Sequence, residues 1–161
     1  MSVNVDTRVV SPGSDEYVED AWRLKERIRR DEDVLKQRKS FFTDAYRRSK
    51  VHLFLDEGAD QPVIGFAAVR RDGYILFLAV DPSYRGEDIG KRLVAHVAEE
   101  HRTVTCHART SNENALRFYE HLGFDIKRRI DNYYEDGGDA YYLKLGDDVG
   151  ITGRLSEFMR R

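Results

Sequence analysis

Cysteine is almost missing from this chain of 161 residues: Cys106 is the only one. A single thiol excludes an intrachain disulfide and a cysteine-rich zinc site, so no metal centre is expected, and it fits a reducing, cytoplasmic setting. Net charge is also nearly absent. Although 35% of the residues are charged, 27 Lys and Arg stand against 29 Asp and Glu, leaving -2. That balance argues against a polyanion as partner, so no nucleic acid is expected, and the local clusters Arg27, Arg29, Arg30 and Arg47, Arg48, Lys50 read as solvated helix surface. Long apolar runs are missing too. No stretch approaches the ~20 residues of a membrane span, and residues 1–10 show no basic region followed by an apolar run, so neither a membrane nor a leader is expected.

What is present fits one core. A chain of this size buries roughly 70% of its unfolded surface. Asp6 to Val10 reads as a strand that stops at Ser11-Pro12-Gly13-Ser14. Tyr17, Val18, Ala21, Trp22 and Ile28, then Val34, Leu35, Phe41, Phe42, Ala45 and Tyr46, recur at helical spacing and predict two helices with a polar joint near residues 30–33. From Val51 the period changes. Residues 51–55, 63–69 and 74–80 are short apolar runs separated by turn residues, a pattern for an antiparallel meander. A helix over 90–101, a strand over 103–108, a helix over 112–122 ending at Gly123, and a hairpin of 126–134 and 139–145 around Asp136-Gly137-Gly138 complete the order. Residues 146–161 lose strand patterning, and Leu155, Phe158 and Met159 suit a last short helix or a frayed tail.

The segment Tyr84-Arg85-Gly86-Glu87-Asp88-Ile89-Gly90-Lys91 joins a buried strand to an amphipathic helix. Unsatisfied N–H groups at a helix start, the positive end of the helix dipole and glycines that admit close approach together suit a phosphate. The spacing from Gly86 to Gly90-Lys91 is one residue short of a Walker A loop, and Arg92 stands in place of its hydroxyl residue. A second segment, from Asn112 to Phe124, reads Asn-Glu-Asn-Ala-Leu-Arg-Phe-Tyr-Glu-His-Leu-Gly-Phe, with Ala115 and Gly123 permitting close packing and Tyr119 on the inner helix face.

These two segments resemble the GNAT superfamily of acetyl-CoA-dependent N-acetyltransferases. Residues 85–90 resemble its signature Q/R-x-x-G-x-G/A, with Asp88 where the family usually has its first glycine. Residues 112–124 match N-x-x-A-x-x-F/L-Y-x-x-x-G-F at every fixed position. The resemblance covers residues 51–145 well and residues 1–50 by element order only. It implies one α/β (α+β) domain over residues 1–146, with a C-terminal tail over 147–161. The implied fold is a mixed, mostly antiparallel central sheet with helices on both faces and a splayed strand pair at the coenzyme site.

The resemblance also implies roles. Arg85, Gly86, Glu87, Asp88, Ile89, Gly90 and Lys91 would hold the coenzyme A pyrophosphate. Leu78, Ala79 and Val80 would pair with pantetheine and aim an amide at the thioester oxygen, and Asn112 would contact the pantetheine arm. Tyr119 would meet the sulfur and return a proton to the leaving thiolate. His107 occupies the strand position where bacterial ribosomal-protein N-terminal acetyltransferases carry glutamate and some eukaryotic N-terminal enzymes carry histidine. Tyr74 matches a tyrosine that works with that histidine. An imidazole titrates near neutrality, which suits a base for an amine. His52, His96, His101 and His121 lack such context and suit surface positions. Cys106, by alternation, points away from His107's side of its strand, so direct transfer without an acyl-enzyme is implied.

Tyr133 and Tyr134 resemble the paired tyrosines that line the peptide groove of N-terminal acetyltransferases. On their strand they would face opposite ways. The implied acceptor is therefore a protein or peptide N-terminal α-amine. A small-molecule amine or lysine side chain is the second reading, and a catalytically silent CoA-binding module, motivated by Asp88, is the third. The sequence carries no signal for oligomeric state.

Overall fold

The computed structural model describes residues 5–146, apart from the side chain of Glu87; the expected 147–161 tail, with its possible helix, lies outside them. The chain divides into two compact units, Met1–Arg71 with Ile75–Val97, and a second made of Asp72–Tyr74 and the chain from Ala98 onward.

In the first unit, strand β1 (Asp6–Val10) precedes helices α1 (Val18–Glu32) and α2 (Lys39–Arg48), then strands β2 (Lys50–Leu55), β3 (Val63–Val69) and β4 (Ile75–Val80). The four strands form one antiparallel sheet in the order β1-β2-β3-β4. Ala21, Leu24 and Ile28 form the buried stripe of α1. Glu19 and Asp20 in its first turn and Arg29 and Arg30 in its last complement the helix dipole. Phe42, Ala45 and Tyr46 do the same burial work for α2.

One core joins these faces to the sheet through Leu53, Phe66 and Phe77. Phe42 is its centre, with ring centroids 4.8 Å from Phe77 and 5.5 Å from Trp22. Each such ring taken fully out of water contributes about 1.5–3 kcal/mol, so these side chains, rather than helix propensity, hold α1 and α2 in place.

The joint between the helices lies later than the charge run predicts. Helix α1 continues to Glu32, and Asp33 (φ 58°) and Leu35 (φ 55°) turn the chain in the left-handed region. Val34 and Leu35 are therefore in the connection, not in the second helix. The fully buried Lys25 explains the extension: its ammonium lies 4.5 Å over the Trp22 ring and donates to the carbonyl of Gln37, pinning the connection to α1. Phe41, of the same apolar set, is 51% exposed.

After a 3-10 turn (Pro82–Glu87), helix α3 (Ile89–Ala98) covers the opposite face of the same sheet. It comes close because β3 carries Gly65. A Cβ there would sit 2.9 Å from the Ile89 Cγ2 and 3.3 Å from the Leu93 Cδ1. His52, expected at the surface, is only 3% exposed on this face, its ring 6.4 Å from that of His96.

The second unit holds strands β5 (Val104–Arg109), β6 (Asp125–Ile130) and β7 (Ala140–Leu145) in an antiparallel sheet ordered β5-β7-β6, with helix α4 (Glu113–Leu122) between β5 and β6. Val104, Cys106 and Ala108 are the buried residues of β5, so His107 and Arg109 share its other face. The hairpin is shorter than the sequence predicts. Strand β6 ends at Ile130, Asn132 adopts φ 54°, and Tyr133 and Tyr134 lie in the loop rather than on a strand.

Candidate active site

Two constellations carry chemistry, one in each unit. In the first, β4 is the edge strand of its sheet, so Leu78, Ala79 and Val80 lie on a strand with one sheet neighbour. An edge strand offers main-chain donors and acceptors to a ligand. Asp81 ends it. Its amide donates to the carbonyl of Ile64 (2.8 Å), its Oδ1 accepts from the Ser83 amide (2.9 Å), and its Oδ2 accepts from Arg27 (2.9 Å).

The turn that follows is fastened at two further points. Tyr84 donates its hydroxyl to Asp56 (2.8 Å), and Arg85 forks onto Glu32 of α1 (3.0 and 2.7 Å). Arg85's charge is thus shared with a carboxylate. Asp88 sits at φ 60°, ψ 19°, the left-handed geometry that a glycine would adopt without cost and that Asp tolerates. Its carbonyl accepts the first helical bond, from Arg92 (3.0 Å), while the buried Ile89 anchors the helix start.

Amides of the first helical turn have no intrahelical partner. A Cβ added at Gly86 would meet nothing within 4 Å, so there is space beside the turn. Gly90 and Lys91 lie in that first turn. Main-chain donors and open space thus meet at this turn, with the exposed Asp88 among its residues.

The second constellation starts from a glycine. Gly73 (φ 87°) leaves no room for a Cβ, which would strike the carbonyl of Thr103 and come within 3.2 Å of the His101 ring. Its carbonyl accepts from the Thr105 amide (3.1 Å), and Tyr74 forms a parallel bridge with Thr105. Tyr74 is thereby laid along β5, its hydroxyl 2.5 Å from the Nδ1 of His107. Tyr133 comes to the same nitrogen from the β6–β7 loop, at 3.3 Å, with its ring stacked on the imidazole (centroids 4.3 Å apart, planes at 16°). Two phenols converge on one lone pair. Burial, then hydrogen bonding to Tyr133, raises the Tyr74 pKa far above the ordinary phenol value, so Tyr74 holds its proton.

Tyr119 is buried on the inner face of α4, 6% exposed. Burial, then the neighbouring Cys106, raises its pKa well above the ordinary value. The thiol of Cys106 is itself pushed up to about 12 by burial, and a hydrogen bond from Tyr119 opposes part of that rise. Cys106 is thus a neutral partner for the phenol and no nucleophile. Asn112 caps α4, its Oδ1 accepting from the Ala115 amide (3.1 Å). Tyr134, half-buried, lies under the guanidinium of Arg109 at 4.0 Å.

Tyr74, His107 and Tyr133 therefore come together, as do Tyr119 and Cys106. Sequence reasoning missed Arg109, Asp136 and Gly138, which fix the loop of Tyr133 and Tyr134; the signal was period two, placing Arg109 beside His107 on one strand face. It also missed Arg27 and Glu32, whose ties to Asp81 and Arg85 join residues 53 or more positions apart. Among the described residues, no group of three or more His, Cys, Asp or Glu is placed to hold a metal ion.

Comparison with known proteins points to one reaction class. Residues 48–126 match the family model described as acetyltransferase (GNAT) domain. The chain is 42% identical over 80 residues to N-alpha-acetyltransferase 30 of Xenopus laevis, covering 47% of this chain and 29% of that protein. It is 38% identical over 82 residues to N-alpha-acetyltransferase 30 of Saccharomyces cerevisiae, covering 48% of this chain and 47% of the relative. The match thus spans less than half the length of either relative. Among solved structures, Ard1 from Thermoplasma volcanium superposes with a TM-score of 0.69 at 25% identity, covering 88% of this chain and 97% of that one. Over residues 48–126 the chain is thus similar to GNAT acetyltransferases.

Proposed function

We propose that this protein transfers acetyl from acetyl-CoA directly to a primary amine, and that the amine is a protein or peptide N-terminus. The observation that carries the reading is the convergence of Tyr74 and Tyr133 on the Nδ1 of His107, within the unit that also buries Tyr119. A base and an acid of opposite tasks stand on neighbouring elements. The names of the relatives favour the α-amine over a small molecule.

The coenzyme fits the residues present. The turn 85–91 would hold its diphosphate through main-chain amides, the β4 edge would offer main-chain partners to its pantetheine arm, and the thioester would supply the acetyl group. Everything else is the chain's own work. An attacking amine must shed a proton as its nitrogen gains a bond to carbon. With the imidazole proton on Nε2, Nδ1 accepts the Tyr74 hydroxyl, so the amine proton moves to Tyr74 oxygen as Tyr74's own proton moves to Nδ1. A phenol that never ionises by itself is suited to such a relay. Tyr119, equally reluctant to ionise, keeps the proton that a departing thiolate sulfur takes up. Tyr133 and Tyr134 line the acceptor side, and an α-amine would enter beside His107.

The test is a side-by-side assay of acetyl transfer to short peptides with free N-termini and to polyamines, with wild type and Tyr119→Phe. The reading expects peptide acetylation, lowered by about 10²-fold in the variant. Preference for polyamines would favour a small-molecule enzyme, and coenzyme binding without turnover on any amine would favour a silent module.

A further inference from the structure

Residues 133–138 leave the hairpin strands and nevertheless hold one defined shape, and a single side chain of β5 accounts for it. Arg109 is two residues beyond His107 on the same strand face, and its side chain is only 11% exposed. One face of its guanidinium lies over Tyr134 at 4.0 Å. Its terminal nitrogen donates to both carboxylate oxygens of Asp136, at 3.1 Å each. The same Asp136 accepts from the Gly138 amide (3.0 Å), and the Tyr134 amide donates to the Gly138 carbonyl (3.1 Å). A Cβ on Gly138 would stand 2.6 Å from the Arg109 guanidinium and 3.1 Å from Asp136, so a side chain there would displace this pair.

The consequence is a two-by-two stack. His107 receives Tyr133 and Arg109 receives Tyr134, so adjacent loop residues dock on alternate β5 side chains of one face. The two tyrosine rings are perpendicular, 88° apart, with centroids at 5.0 Å. Tyr134 thus packs edge-on against the ring that stacks on the imidazole. Because Asp136 already neutralises Arg109, the guanidinium is a fastening rather than a free charge for a ligand.

We propose that Arg109 is a positioning residue: through Asp136, Gly138 and Tyr134 it seats Tyr133 on His107 and so sets both the geometry of the base and the shape of the acceptor groove. This rests on the acetyl-transfer reading for its effect on turnover but not for its effect on the loop. Planarity matters as well as charge, so lysine is a poor replacement.

The experiment pairs imidazole NMR with kinetics for Arg109→Lys, Arg109→Met and the surface variant Asp136→Asn, which leaves the strand intact if the arginine variants fold poorly. In wild type the His107 ring protons carry the ring-current shift of Tyr133. The proposal expects that shift to collapse in all three variants. It also expects the KM for peptide to rise about ten-fold, with the KM for acetyl-CoA unchanged. Arg109→Met combined with Asp136→Asn should be no worse than Arg109→Met alone. Unchanged His107 shifts and an unchanged peptide KM would overturn the proposal. Collapse of the shifts in a protein that acetylates no peptide would uphold the clamp and defeat the proposed function instead.

Discussion

A buried phenol is a useful acid because it refuses to ionise, and Tyr119 owes that to its place between Cys106 and the core. Its raised pKa fixes the sign of a pH effect. In the proposed reaction Tyr119 acts protonated, so loss of its proton can lower the rate only above the ordinary phenol value of about 10. The kcat profile is therefore expected to rise as the base side deprotonates and to show no descending limb up to pH 10; a fall between pH 8 and 9 would show a phenol of lower pKa at work. His107→Ala should reduce kcat by about 10²-fold. His107 and Tyr119 were legible in the sequence because each sits in a fixed relation to the Asn112–Phe124 pattern. The part played by Tyr133 at the base was not. It depends on the positive φ of Asn132, which leaves no periodic trace, and on Arg109, whose place beside His107 follows from period two but whose tie to Asp136 does not.

Two elements expose what their first residues do. Helix α4 begins on Asn112, whose side chain satisfies the Ala115 amide, so Asn112→Ala should cost about 1 kcal/mol in denaturant unfolding while Asn112→Asp costs little. Helix α3 begins after Asp88 in the left-handed region. Asp88→Gly keeps that backbone and removes a carboxylate near the anion position, and calorimetry should show coenzyme A binding roughly five-fold tighter, the effect of about 1 kcal/mol of like-charge repulsion. An unchanged or weaker affinity would mean that the side chain turns away from the diphosphate.

Period alone located α1, α3, α4 and the β2 to β4 meander. It misplaced the α1–α2 joint because a charged run, Arg29 to Asp33, looked like a break. Arg29 bonds back to Glu26 at 2.6 Å, and Lys25 is buried, so the helix persists through it. The β6–β7 hairpin was overextended for the opposite reason: aromatic residues have strand propensity, and here they are docked as loop residues.

At the scale of the molecule, chain order and sheet order tell the same story. A meander that turns through a glycine-bearing connection into α3, followed by strand, helix and hairpin, is the order that the family resemblance implies, and the antiparallel pairing of both sheets follows it. Residues 48–126, where the family model matches, contain the proposed diphosphate turn, the base histidine and the acid tyrosine. The tyrosine loop and its Arg109 clamp partner Asp136 lie beyond that segment.

The central claim is a direct transfer of acetyl to an α-amine. It is tested most directly by mass spectrometry of a single peptide carrying both a free N-terminus and an internal lysine, incubated with the protein and acetyl-CoA. The account predicts acetyl on the N-terminal nitrogen and none on the lysine, with the product lost in Tyr119→Phe. Acetyl found on the lysine alone, or a full yield from the phenylalanine variant, would contradict it.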